Sequence, residues 1–148
     1  MSEDDRAAVA SLLGREPRSS FDVVVRHPDG SPVVIRNPPI LDDCTPMATR
    51  FWLVGDPERR LVSALESDGG VRAAYGAVDP EELVAAHERY RAERDAAIPE
   101  GALGPRPSGG VGGTRRGVKC LHAHYAWFLA GGDDPVGRWV DDQLKARP

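Results

Sequence analysis

Apolar residues are spaced along the chain in two ways, and the spacing predicts short strands and amphipathic helices. Two β-branched runs, 21–27 and 32–36, flank a Pro-Asp-Gly turn and predict an antiparallel hairpin. The apolar run at 51–54 predicts a third, short strand. Elsewhere apolar residues recur every three or four positions, which predicts five helices: 4–13, 56–69, 79–97, 118–129 and one from 134 onward.

Three of the predicted helices begin with the same dipeptide. Asp-Pro stands at 56–57, 79–80 and 134–135, where an aspartate can cap the first amides and a proline fits the first turn. The pattern predicts an α+β fold, with a small antiparallel sheet (hairpin 21–36 plus a short strand near 51–54) packed with about five helices. The length of 148 residues suits a single domain over 1–148.

Composition and charge exclude several classes of protein. The net charge is −4, which gives no bulk signature of nucleic-acid binding. No apolar run approaches the roughly 18 residues that a membrane span needs, and the acidic start of the chain is unlike a secretory signal. We therefore expect a cytoplasmic protein with no membrane association. In that reducing compartment Cys44 and Cys120 are expected to be thiols rather than a disulfide.

A Gly/Pro-rich loop is predicted over 98–117, with seven Gly and three Pro in twenty residues. Its last part and the residues after it are purely basic. Glycine amides, a helix N-terminus and arginine side chains together can bind a phosphate or another small anion. The loop matches neither a P-loop nor a dinucleotide fingerprint, so the other interpretation is a solvated basic loop. The candidate ligand-binding residues are Gly110, Gly112, Gly113, Thr114, Arg115, Arg116 and Lys119.

A cysteine and two histidines follow this loop within five residues. On a helix over 118–129, Cys120 and His124 are i, i+4 neighbours that can share one metal ion or one proton. His122 then points about 160° away from them, at 100° per residue. On a strand, by contrast, all three side chains would lie on one face.

Three interpretations of this segment remain open. In the first, Cys120 and His124, with His122 as a further candidate, ligate a transition metal, zinc being the expected ion. In the second, Cys120 is a thiolate nucleophile and His124 its base, so that both are catalytic residues. In the third, both side chains are buried structural groups. Whether the protein is an enzyme stays undecided between them.

Long stretches of the chain resemble a bacterial family, the domain of unknown function 501. The resemblance rests on ASLLGREPRS, VVIRNPPILDD, TPMATRFWLVG and above all RPSGGVGGTRRGVKCLHAHYAWFLAGGDDPVGRWV. It implies a small stand-alone cytoplasmic protein, often encoded beside a septum-formation initiator, and it brings no established activity. It also implies a glycine at the position of Cys44, where this chain departs from the pattern. The positions that keep their interest are Arg115, Arg116, Lys119, Cys120, His122 and His124.

Two functional hypotheses of different classes follow. In the first, the protein binds a small anionic or phosphate-bearing ligand at the basic loop, and Cys120 and His124 serve as a metal pair or as nucleophile and base. In the second, it is a non-enzymatic interaction module. Its basic loop then docks on an acidic protein partner linked to cell division or the cell envelope.

Overall fold

The computed structural model describes residues 1–147, which form a three-stranded antiparallel sheet and six α-helices. The predicted α+β class is therefore confirmed. The strands β1 (Asp22–Arg26), β2 (Pro32–Arg36) and β3 (Phe51–Leu53) lie side by side in chain order. The helices are α1 (Glu3–Leu13), α2 (Asp56–Ser67), α3 (Gly70–Ala77), α4 (Pro80–Ala96), α5 (Leu121–Leu129) and α6 (Pro135–Ala146).

Both faces of the sheet are covered, and strand alternation decides which residue meets which layer. On one face Ile35 packs with Phe21, Val54 and Val9 of α1. On the other face Val34 and Leu53 join the larger core, to which α2, α4, α5 and α6 contribute. None of the helices within residues 1–147 combines the length and apolar character needed to cross a membrane.

Helix α5 runs through the middle of the larger core, packed against β3 and α6. Six of its nine residues are buried, among them His124 and Trp127. The His124 ring bonds to Asp134, with Nδ1 and Oδ2 2.6 Å apart, and both side chains are almost fully buried. Asp134 also caps α6 by accepting the Val136 amide, so this pair fixes the start of α6 against α5.

Helix α3 was missed by the expectation of five helices. The glycine pair at 69–70 reads as the end of a helix, and α2 does end at Ser67. Gly70, however, begins a new helix because its missing side chain lets the backbone lie close to its neighbours. A Cβ at this position would stand 2.6 Å from the Leu65 carbonyl and 2.9 Å from a methyl of Leu121.

Helix α5 begins at Leu121, three residues later than predicted, and a distant residue explains the difference. The Leu121 amide donates to Oε2 of Glu66 on α2 at 2.8 Å. This carboxylate satisfies one of the free amides at the helix N-terminus, where a negative charge is stabilised. Cys120 is left outside the helix in an extended conformation, with φ −149° and ψ 122°.

Candidate functional site

Three side chains with metal-binding and proton-transfer chemistry meet at the start of α5. The Sγ of Cys120 lies 3.8 Å from Nδ1 of His122, and Oε2 of Glu66 lies 3.3 Å from the same nitrogen. One ligand atom from each residue falls within 4.8 Å of the other two. All three residues are half-buried, and about a quarter of the side-chain surface of His122 and Glu66 faces solvent.

One face of α2 supplies the wall against which His122 rests. Arg59, Ser63 and Glu66 are spaced four and three residues apart, so they project from the same side of this helix. Oγ of Ser63 lies 3.1 Å from Nε2 of His122. This contact fixes the orientation of the ring and turns Nδ1 toward Cys120 and Glu66.

The environment shifts the pKa values of Cys120 and His122 in opposite directions. Burial raises the pKa of the Cys120 thiol, but hydrogen bonds from His122 and the Ala123 amide outweigh it, so the pKa ends below its ordinary value. The hydrogen bond to Cys120 raises the pKa of His122 against the effect of burial, and the charge of Glu66 adds to the rise. Both shifts stabilise the charged forms of the two groups, the thiolate and the imidazolium, relative to their neutral forms.

A pocket of about 400 Å³ opens directly onto this cluster. Cys120 and His122 lie at one side of it, and Arg59 and Lys119 bring positive charge. The apolar part of the lining comes from α1 and β3. The residues of this apolar wall are Leu13, Phe51, Trp52 and Leu53. The pocket thus combines a reactive cluster, two cations and an apolar surface.

The predicted pairing of Cys120 with His124 is wrong. It assumed that both residues stand on one helix, but Cys120 precedes α5 in extended backbone. The thiol consequently meets His122, the histidine that the helical wheel placed on the far side. The alternation of a strand does not describe the segment either, because Leu121–Leu129 is helical.

His124 is a core residue. Its side chain is 1% exposed, Nδ1 is bonded to Asp134, and the ring stands edge-on to that of His87 at 5.7 Å between centroids. Nε2 has no hydrogen-bond partner within residues 1–147. This burial separates His124 from the Cys120 pocket, so neither a base for the thiol nor a shared metal ligand fits its position.

The Gly-rich loop is folded onto itself rather than open to an anion. The Gly110 amide donates to the Thr114 carbonyl, and the Gly113 amide donates to the Gly110 carbonyl. The Thr114 amide donates to the Val111 carbonyl. These three amides, which the anion-site prediction would direct toward a ligand, are therefore already paired within the loop. Gly112 and Gly113 adopt φ of 65° and 79°, which glycine reaches without strain. Glycine here serves the tight turn at 111–113.

His87 holds this loop in place from α4. Its Nδ1 accepts the Val111 amide at 3.1 Å, and its Nε2 donates to the Gly117 carbonyl at 2.9 Å. The bond that Nδ1 accepts requires a neutral ring with its proton on Nε2, and burial lowers the pKa of His87 in agreement with that state. Gly110 packs so closely that a Cβ there would stand 2.6 Å from the His87 ring nitrogen.

The basic side chains of the loop remain free. Arg115, Arg116 and Lys119 are exposed, and within residues 1–147 none of the three makes a side-chain hydrogen bond or a salt bridge. Arg115 and Arg116 line a small pocket beside α4, and Lys119 borders the Cys120 pocket. Any anion at this loop would therefore be held by side chains rather than by glycine amides.

No sequence pattern singles out Glu66 or Ser63. They stand more than fifty positions before Cys120, inside a helix rich in ordinary charged residues. Their only sequence feature is a spacing that places them on one face of a helix, and this spacing is too common to identify a site. Cys44, the other cysteine, is an exposed free thiol far from such chemistry, with a positive φ of 69° that favours glycine.

Comparison with known proteins identifies the family. No curated protein and no solved structure matches the chain significantly. The model of a protein family described as "Protein of unknown function (DUF501)" matches residues 23–142. That match spans the sheet, α2 to α5 and most of α6, including the whole Glu66–Cys120–His122 cluster. The chain therefore belongs to the DUF501 family.

Proposed function

We propose that the protein binds one zinc ion through Glu66, Cys120 and His122 and presents it to a small anionic ligand in the adjoining pocket. The observation that carries this proposal is the convergence of a thiol, an imidazole and a carboxylate from two separate elements. One donor comes from α2 and two from the start of α5. A mixed S, N and O donor set of this kind suits zinc.

The distances between the donor atoms support zinc. Zinc bonds of about 2.3 Å to sulfur and about 2.0–2.1 Å to nitrogen or oxygen place tetrahedral ligand atoms roughly 3.3–3.6 Å apart. The His122–Glu66 separation is 3.3 Å and the Cys120–His122 separation is 3.8 Å. The third pair, Cys120 and Glu66, lies within 4.8 Å, so rotation of these half-buried side chains would bring the three donor atoms to one ion.

The surroundings of the donors also support a metal. Ser63 contacts the second ring nitrogen of His122, as the partners of metal-bound histidines do. The Leu121 amide donates to Glu66 and orients its carboxylate. Each of these two donors is thus held by a neighbour before any ion arrives.

Three protein ligands would leave one position of a tetrahedral zinc ion open, as in catalytic rather than structural zinc sites. Zinc in such a site lowers the pKa of a bound water to near neutrality and polarises bound oxygen atoms. In this pocket Lys119 and Arg59 supply positive charge for an anionic ligand, and the apolar wall excludes water. The arrangement suits metal-assisted chemistry on a small anion in the cytoplasm, where both thiols stay reduced.

A second candidate function uses the same residues without metal. The lowered pKa of Cys120 and the raised pKa of His122 favour a thiolate–imidazolium pair, which is the resting state of many nucleophilic cysteines. Cys120 would then attack an electrophilic ligand in the pocket. His122, rather than His124, would be the acid and base.

Zinc binding to the purified full-length protein separates the two candidates. We expect about one zinc per chain by elemental analysis, and loss of zinc binding in Cys120→Ser and Glu66→Gln. Cys44→Ser is the matched control, because it removes the other thiol and should keep the metal. Zinc-free protein with rapid alkylation of Cys120 at neutral pH would support the nucleophile instead. Zinc that is retained by Cys120→Ser would refute the proposed site.

A further inference from the structure

A second and larger recess adjoins the proposed zinc site. This groove has a volume of about 1090 Å³ and lies between the α2–α3 corner and the segment that leads into α5. Lys119 lines both this groove and the Cys120 pocket, and Glu66 of the proposed zinc site lines the groove. A ligand in the groove can therefore reach the zinc site with one end.

The rim of the groove carries three cations without partners. Arg72, Arg116 and Lys119 are exposed, and within residues 1–147 their side chains make no hydrogen bond or salt bridge. Nine other arginines of the described chain form salt bridges, and acidic residues outnumber basic ones by 23 to 19. Three of the cations left unpaired within residues 1–147 thus meet at this groove, where together they attract a multiply charged anion.

Apart from Glu66 and Thr114, the rest of the groove lining is apolar, and it contains an exposed aromatic ring. Tyr75 is 56% exposed, which is high for a large aromatic side chain. Gly117, with φ of 70°, lies near one edge of the ring, where an added Cβ would stand 3.6 Å from it. Val71 and Val118 line the groove beside Tyr75. A planar group can stack on the tyrosine while its charged end stays near the cations.

We propose that this groove binds a nucleoside phosphate. The base stacks on Tyr75, and the phosphates bind Arg72, Arg116 and Lys119, which turns them toward Glu66 and the zinc site. Binding itself depends only on the groove, whereas any chemistry on the phosphates rests on the proposed zinc function. Inorganic phosphate would use the cations without Tyr75. An acidic peptide would extend past Arg116 to Arg115 in the neighbouring pocket.

Isothermal titration of the full-length protein with ADP, pyrophosphate and a poly-glutamate peptide tests the proposal. We expect ADP to bind more tightly than pyrophosphate, and Tyr75→Ala to weaken ADP about 10-fold while leaving pyrophosphate unchanged. Arg72→Ala combined with Arg116→Ala should weaken both. Arg60→Ala is the control, because this exposed arginine of α2 is also unpaired within residues 1–147 but lies outside the groove.

Repeating the titration in EDTA with Cys120→Ser separates this proposal from the zinc site. ADP binding by Cys120→Ser in EDTA would support the groove as the binding site, whether or not the unmodified protein binds zinc. Equal affinity for ADP and pyrophosphate, with no effect of Tyr75→Ala on ADP binding, would overturn the proposal of a nucleotide site and indicate a simple phosphate site. Peptide binding that depends on Arg115, without ADP binding, would overturn it in favour of an acidic protein partner. Absence of binding by all three probes would also overturn it.

Discussion

The two histidines of α5 should respond differently to alanine replacement: His124→Ala should lower stability, and His122→Ala should abolish zinc binding. His124→Ala removes the partner of Asp134, a carboxylate that is 0% exposed and lies 2.6 Å from the His124 ring. Breaking a buried pair in this way costs about 3–5 kcal/mol. The Val136 amide still donates to Asp134, so we expect the lower end, about 3 kcal/mol. At about 2–4 °C per kcal/mol, Tm should fall by roughly 6–12 °C.

His122→Ala should spare stability and abolish metal binding. The His122 side chain is 26% exposed, and its neighbours Glu66 and Ser63 also reach solvent, so the lost contacts are worth about 0–1 kcal/mol. Thermal unfolding followed by circular dichroism gives the two Tm values. Zinc titration against a chromogenic chelator, at a temperature where both variants are folded, gives the affinities.

These two variants are each other's control, because the same change is made two residues apart on one helix. We expect His124→Ala to be unstable but to bind zinc, and His122→Ala to be stable but unable to bind it. A folded His124→Ala protein that has lost zinc binding would contradict the roles assigned here. So would a His122→Ala protein that keeps zinc and loses 10 °C or more of Tm.

Three further predictions concern the loop and the backbone. Burial lowers the pKa of His87, so as the pH falls this histidine is protonated in the unfolded chain before it is protonated in the folded protein. The free energy of unfolding should therefore fall as the pH drops below about 6.5, and it should fall less in His87→Gln. Urea titration at pH 7.5 and 5.5 measures both. Cys44→Gly should raise Tm by about 3 °C in calorimetry, because it relieves a positive φ, whereas Cys44→Ala should not. Gly110→Ala should lower unfolding free energy by about 1–3 kcal/mol through its clash with His87, while Gly76→Ala, which meets no atom within 4 Å, should not lower it.

Much of the fold follows from local sequence. The hairpin formed where two β-branched runs flank the Pro-Asp-Gly turn, with strands at Asp22–Arg26 and Pro32–Arg36. Asp79 and Asp134 cap α4 and α6 as their Asp-Pro pairs predicted, by accepting the amides of Glu82 and Val136. These features depend on residues only two or three positions apart, so a single sequence contains them.

The site could not be predicted in the same way because it depends on contacts between distant residues. The start of α5 is set by Glu66, which lies 55 positions before Leu121. That shift of three residues moves Cys120 out of the helix and exchanges its partner from His124 to His122. The sequence thus pointed to the segment that contains the candidate site, but it paired Cys120 with His124 instead of His122.

The atoms bound to zinc decide whether Glu66, Cys120 and His122 form a metal site. X-ray absorption at the zinc edge of the full-length protein, loaded with one equivalent of zinc, reports the atoms bound to the ion. We predict one sulfur at about 2.3 Å together with nitrogen and oxygen ligands at about 2.0–2.1 Å, and loss of the sulfur signal in Cys120→Ser. A zinc shell without sulfur in the unmodified protein, or protein that fails to retain zinc at all, would contradict the account.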